Sequence, residues 1–249
     1  MDNTILEIKN LKKNYQTDYC EIEAISDFTF SLKDNEFVAI IGPSGSGKTT
    51  ILSILANLLN KTSGEINLKE NKKIGYMLQQ DSLFEWRTIL NNCLLGLEIN
   101  KTLNNDTKNK VIDLLKKYGL NDFIESYPRN LSGGMRQRAA LIRTLANNPD
   151  ILLLDEPFSA LDYQTRLMVE NDVYNIIKNE KKSAIMVTHD LAEAICMADK
   201  IVVLSNRPSK IKNIYEIKLE KNKPFQEIRS TKNFFEYYDL IWKDIDKNV

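Results

Sequence analysis

The sequence predicts an α/β fold in which a mostly parallel core sheet is joined by an antiparallel β layer and a helical subdomain. Three observations carry this reading. A glycine-rich loop, Gly42-Pro43-Ser44-Gly45-Ser46-Gly47-Lys48-Thr49, lies between the apolar run Phe37 to Ile41 and a helix-forming stretch, Ile51 to Leu59. Three later apolar runs, Ile151 to Leu154, Ala184 to Val187 and Ile201 to Leu204, are nearly continuous, as strands covered on both faces are. Segments of helical spacing separate those runs, and such alternation implies parallel pairing through right-handed crossovers.

From the N-terminus, Ile5, Glu7, the stretch Ile8 to Leu11 and the run Phe28 to Leu32 alternate loosely, as half-buried strands do. Gly64 to Leu68 and Lys73 to Met77 alternate too, with short turn-rich segments around them, so all are expected in one antiparallel layer. Tyr15 is expected on a polar loop between two of these strands. From Phe84 to Asn148 the spacing turns helical. Val111, Leu114, Leu115 and Tyr118 form a stripe for which Asn105 or Asp106 supplies a start and Gly119 an end. A second helix is expected from about Gly133 to Asn147, with Pro149 just past it, and others around Thr165 to Asn179 and Leu191 to Ala198. Beyond Leu204, Asn213 to Leu219 reads as a strand, and Phe234, Tyr238, Ile241 and Ile245 share one face of a last helix, the pattern of core packing. The chain 1–249 is expected to be one domain, with the helical subdomain at about 84–148 and a C-terminal extension at about 205–249.

Composition narrows the class. Of 249 residues, 43% are hydrophobic and 27% charged, ordinary for a globular protein. Lys plus Arg and Asp plus Glu are 34 each, so no net field draws the chain to nucleic acid or an anionic membrane. The longest apolar runs fall well short of the roughly 20 residues that cross a bilayer, and Met1-Asp-Asn-Thr is not a charged-then-apolar leader, so a cytosolic protein is expected. Cys20, Cys93 and Cys196 are scattered without CxxC spacing, which suggests buried free thiols rather than disulfides or a zinc site.

The chemistry concentrates at three places. In the GxxxxGK[ST] loop, glycines turn backbone amides inward to wrap a chain of phosphates, Lys48 adds a point charge for the outer ones, and the Thr49 hydroxyl can ligate their magnesium. Thr50 continues the same loop into a helix whose free amides and positive dipole end face the anion. A glycine and serine cluster is commonly a loop and nothing more, but here strand and helix flank it as a P-loop NTPase requires. Second, the apolar run 151–154 delivers Asp155 and Glu156 at a strand's C-terminal end, where open α/β sheets bind ligands. Asp155 suits a magnesium ion held through water, and Glu156 suits a general base for attacking water. Third, Leu131-Ser132-Gly133-Gly134-Met135 opens a helix that Ser132 can cap. Two glycines there lower helix stability by up to about 1 kcal/mol each, which points to a second phosphate-facing helix start.

In this order, with Ser159-Ala-Leu-Asp162 and Thr188-His189-Asp190 following, these motifs resemble an ABC transporter ATP-binding subunit over nearly the whole chain. The resemblance implies the ABC ATPase fold, with ATP and Mg2+ as cofactors. It implies that Tyr15 stacks on adenine, Gln79 senses magnesium and the attacking water, and His189 contacts the γ-phosphate. It also implies a head-to-tail homodimer, in which Ser132, Gly133 and Gly134 of one copy close over ATP on the P-loop of the other, with Asp162 at the shared interface. The stretch Asp81 to Thr88, with Phe84 and Trp86, resembles that of importers for nitrate, sulfonate and taurine, as do Phe158 to Arg166 and Asp199 to Pro208. Glu85 and Leu78 depart from that group, which has proline and an aromatic there. The two aromatics read either as a dock for a membrane partner or as core of the helical insert.

The function expected is therefore an ATPase that energises a membrane importer of a small solute. It would work at the cytoplasmic face of the membrane, with two permease subunits and an extracytoplasmic solute-binding protein and no nucleic acid. An exporter or lipid transporter subunit, and a soluble ABC ATPase acting on DNA or ribosomes, are the alternatives.

Overall fold

A computed structural model describes residues 3–16, 18 and 20–246. The chain forms β1 (Thr4–Gln16), β2 (Glu21–Lys33), β3 (Phe37–Ile41), α1 (Lys48–Leu55) and β4 (Ser63–Leu68). It continues through β5 (Ile74–Met77), α2 (Ile89–Ile99), α3 (Asn105–Lys117), α4 (Gly133–Leu145), β6 (Ile151–Asp155) and α5 (Tyr163–Asn179). It ends with β7 (Ser183–Val187), α6 (Leu191–Met197), β8 (Lys200–Leu204), β9 (Ser209–Glu216), α7 (Phe225–Ile228) and α8 (Lys232–Asp246). Two compact units emerge, Met1–Lys72 with Lys182–Val249, and Lys73–Lys181.

In the first unit the strands run in the order β4-β1-β2-β9-β8-β3-β7. β3 is buried at all five positions because β7 and β8 flank it in parallel, Val38 opposite both Ile185 and Lys200. That is why Phe37 to Ile41 is apolar without alternation. β1 pairs antiparallel with β2 and β4, and β9 pairs antiparallel with β8. α8 buries Phe234 and Ile241, while Phe235, Leu240 and Trp242 face outward.

In the second unit β5 and β6 pair in parallel, Ile74 opposite Ile151 and Met77 opposite Leu154. α2, α3 and α4 share a core that includes Ile89, Leu94, Val111, Leu115, Ala139 and Ile142. Among the described residues no helix is long and apolar enough to cross a membrane.

Four local expectations need correction. Lys73 to Met77 does not join the antiparallel layer: a helical insert separates β5 from β6, and a crossover of that length allows parallel pairing. Tyr15 lies inside β1, opposite Ile22, because the strand is thirteen residues long and its pairing with β2 continues to Gln16. The cap of α3 is Asn104, whose side chain accepts from the Thr107 amide while the Thr107 hydroxyl accepts from Asn104, each at 2.9 Å. No disulfide joins Cys20, Cys93 and Cys196, as expected, yet Cys20 is exposed, and only Cys93 and Cys196 are buried.

Candidate functional site

In the first unit, β3 ends at Ile41 and the chain turns sharply at Gly42, where a Cβ atom would lie 3.0 Å from Leu204 Cβ at the end of β8. Gly45 and Gly47 hold φ of 75° and 84°, a region open to glycine at no steric cost. The turn closes through the Ser46 amide, 3.2 Å from the Pro43 carbonyl. Gly47 begins α1 without a side-chain cap, so no side chain competes with an anion for the first-turn amides. Lys48 is buried, and its ammonium donates to the carbonyls of Gly42 and Pro43 at 2.9 and 3.0 Å. The Ser46 hydroxyl is buried without a hydrogen-bond partner among the described residues. A buried orphan hydroxyl beside inward-turning glycines fits a string of phosphates. Thr49 and Thr50 follow in the first turn of α1, and the Thr50 hydroxyl lies 3.1 Å from that of Tyr15.

His189 leaves the sheet at the same level as this loop, because Val187 pairs with Ile40 in β3. The loop that carries it is held from below. Thr188 donates its hydroxyl to Glu193 at 2.6 Å and accepts the Asp190 amide at 3.0 Å, and Asp190 caps α6 through the amides of Ala192 and Glu193.

In the second unit, β6 carries Asp155 and Glu156 to its end, Asp155 buried and hydrogen-bonded by the Tyr76 hydroxyl at 3.0 Å. Glu156 has φ of 43°, in the left-handed region, and its carbonyl accepts the Ser159 amide and hydroxyl at 3.1 and 3.0 Å. Gln79 donates to the Glu156 carboxylate at 3.2 Å and to the Ser159 hydroxyl at 3.3 Å. These contacts bring the Gln79 amide group directly to Glu156. Ser132 caps α4, its hydroxyl accepting from the Met135 amide at 3.3 Å, and so turns toward its own helix rather than to Asp155 or Glu156. A Cβ on Gly134 would lie 2.6 Å from Val169, so that glycine is required for α4 to pack on α5; a Cβ on Gly133 would meet Leu161 at 2.9 Å. Asp162 caps α5 through the Thr165 amide at 3.0 Å, and the Thr165 hydrogen bonds hold its carboxyl below the usual carboxylate range.

The segment that follows Gln79 is clamped along its length. Arg143 on α4 donates to the carbonyls of Asp81 and Ser82 at 2.7 and 2.6 Å, and Arg136 pairs with the Asp81 carboxylate at 3.3 Å. Asn92 on α2 is fully buried; it accepts the Phe84 amide at 2.7 Å and donates to the carbonyls of Phe84, Arg87 and Thr88 at 3.0 to 3.1 Å. This clamp presents Trp86 at 74% exposure, its ring centroid 4.8 Å from that of Phe84. Of the two readings of these aromatics, burial in the core of the insert does not hold for Trp86. Sequence reasoning missed Tyr76, Asn92, Arg136 and Arg143, whose roles depend on contacts between distant segments.

Among the described residues no three His, Cys, Asp or Glu side chains gather to hold a metal ion. Thr49 and Asp155 supply hard oxygen donors of the kind magnesium uses when most of its other ligands are water and phosphate oxygens.

The sequence pattern of the ABC transporter family matches residues 25–159. The ABC transporter ATP-binding protein YtlC of Bacillus subtilis is 44% identical, the alignment covering 98% of this chain and 96% of that one. The aliphatic sulfonates import ATP-binding protein SsuB of Bacillus cereus is 38% identical over 95% of this chain and 98% of its own. Among solved structures, the dimeric post-hydrolysis state of the ATP-binding cassette MJ0796, bound to ADP and Pi, superposes with a TM-score of 0.73 at 30% identity, covering 86% of this chain and all of that one. The chain belongs to the ABC transporter family and is an ATP-binding, ATP-hydrolysing cassette.

Proposed function

We propose that this ATPase drives a membrane importer for a small solute of the sulfonate, taurine or nitrate kind, at the cytoplasmic face of the membrane. Two copies would pack head to tail beneath two permease subunits fed by an extracytoplasmic solute-binding protein. The observation that carries the reading is the Gln79 to Glu156 hydrogen bond at 3.2 Å, which joins the segment bearing exposed Trp86 to the candidate base.

In this reading the amides of Gly42 to Thr50 and the Lys48 ammonium hold the phosphates, and Tyr15 stacks on adenine. Thr49, Gln79 and Asp155 would hold Mg2+, which would supply positive charge for the phosphates. Glu156 accepts a proton from the attacking water, and His189 orients on the γ-phosphate. Ser132, Gly133 and Gly134 of the partner copy complete the site, with Asp162 at the shared interface. Loss of the γ-phosphate then removes what joins the copies, and the opening moves the permeases. Support for import comes from full-length similarity to a sulfonate import subunit and from the stretches 81–88, 158–166 and 199–208.

Affinity purification of the tagged chain from membranes tests the proposal. The expected result is co-purification of two permease subunits and, in closed-state conditions, a solute-binding protein. Trp86→Ala is expected to bind ATP normally and lose the permeases. Recovery of ribosomes or nucleic acid instead, or full permease recovery with Trp86→Ala, contradicts it.

A further inference from the structure

Lys13 and Tyr15 lie two residues apart in β1, and their side chains meet although the pairing with β2 shifts register between Lys13 and Asn14. Lys13 uses that placement: its ammonium sits 4.9 Å from the centroid of the Tyr15 ring and donates to the carbonyl of Asn60 at 2.8 Å. Asn60 belongs to the turn that follows α1, and this turn is tied to β1 twice more. The Asn14 amide donates to the Thr62 hydroxyl at 2.9 Å, and the Thr62 amide to the Lys12 carbonyl at 2.9 Å. At the other end of α1, the Thr50 hydroxyl meets the Tyr15 hydroxyl at 3.1 Å. The ring is thus fixed at its edge by the first turn of α1 and on one face by a lysine anchored to the segment after that helix, yet Tyr15 stays 37% exposed.

We propose that Lys13 is a positioning residue for the purine base: held by Asn60, it occupies one face of Tyr15 and fixes the other as the stacking surface. This rests on the reading of Tyr15 as the adenine-stacking residue. A ring has two faces, and a cation within about 6 Å of one is attracted to it, so the base is left the opposite face and a ring that does not swing. Lys13 would then act on the base and not on the phosphates, although a nearby positive charge in general favours phosphates.

That contrast gives the test. Binding of ADP and of inorganic pyrophosphate, with magnesium, is measured by calorimetry on the full chain and on Lys13→Met, Lys13→Arg and Tyr15→Ala. Lys13→Met is expected to weaken ADP about two- to fivefold, the size of an exposed cation–π contact, and to leave pyrophosphate unchanged. Lys13→Arg, whose guanidinium can take the same place, is expected to restore ADP binding. Equal weakening of both ligands by Lys13→Met overturns the proposal, because a general charge effect or a local structural loss acts on phosphates as well. Unchanged ADP binding in Lys13→Met with weakened binding in Tyr15→Ala also overturns it while leaving the stacking reading intact. Unchanged ADP binding in Tyr15→Ala removes the stacking reading itself, and Lys13's role with it.

Discussion

Glu156 adopts a left-handed φ of 43° at the end of a buried strand, a conformation that costs a non-glycine residue about 1 to 3 kcal/mol and is tolerated where the surroundings enforce it. Ser159 supplies that enforcement through two hydrogen bonds to the Glu156 carbonyl. Glu156→Gly should therefore be more stable than Glu156→Ala, by about 1 kcal/mol, in thermal unfolding of the two variants; equal stability would show that the backbone there is not strained. Thiol chemistry offers a second check on single residues. Burial pushes the Cys93 thiol up to about 12, Cys196 is also buried, and Cys20 is exposed. Since the thiolate is the nucleophile, an alkylating reagent at mild pH should label one of the three cysteines in the native protein and all three in denaturant. Labelling of Cys93 in the native state would contradict the packing of the helical core. The residues of the phosphate loop and of the acidic strand end were legible because their spacing along the chain is itself the signal. Tyr76 was not, since it reaches its partner from a different segment, and nothing in a local pattern marks a tyrosine as the donor to Asp155.

At the level of elements, the segment between β5 and α2 behaves as a pinned connection rather than a loose loop. Asn92 satisfies one amide and three carbonyls of residues 84–88 from a fully buried position. Replacing it with alanine removes the partner of the Phe84 amide and of the Arg87 carbonyl, so Asn92→Ala should lose about 2 kcal/mol in denaturant unfolding, and the emission of Trp86 should change as its backbone loosens. A variant of native stability with unchanged Trp86 emission would contradict the clamp. The buried parallel strands β3, β6, β7 and β8 could be read from their unbroken apolar runs, which alternating exposure would not produce. The pairing of β5 could not, because four residues of mixed burial carry no record of which neighbour they will meet. Tyr15 was misplaced for a related reason: Lys12 to Gln16 is polar, and its strand character comes from pairing with β2 rather than from a buried face.

Across the whole chain, the glycine-rich loop and His189 belong to one compact unit, and Gln79, α4, Asp155 and Glu156 belong to the other. The sequence made the parts recognisable, but the division at Lys72 and Lys182 falls in stretches with no glycine or proline signal to mark it. The central claim is that two copies share each nucleotide, and the charge-neutral Glu156→Gln variant tests it most directly by removing the proposed base while keeping the shape of the side chain. In light scattering with ATP and Mg2+, this variant is expected to run as a dimer, and with ADP as a monomer. A Glu156→Gln protein that binds ATP yet remains monomeric at every concentration would contradict the account.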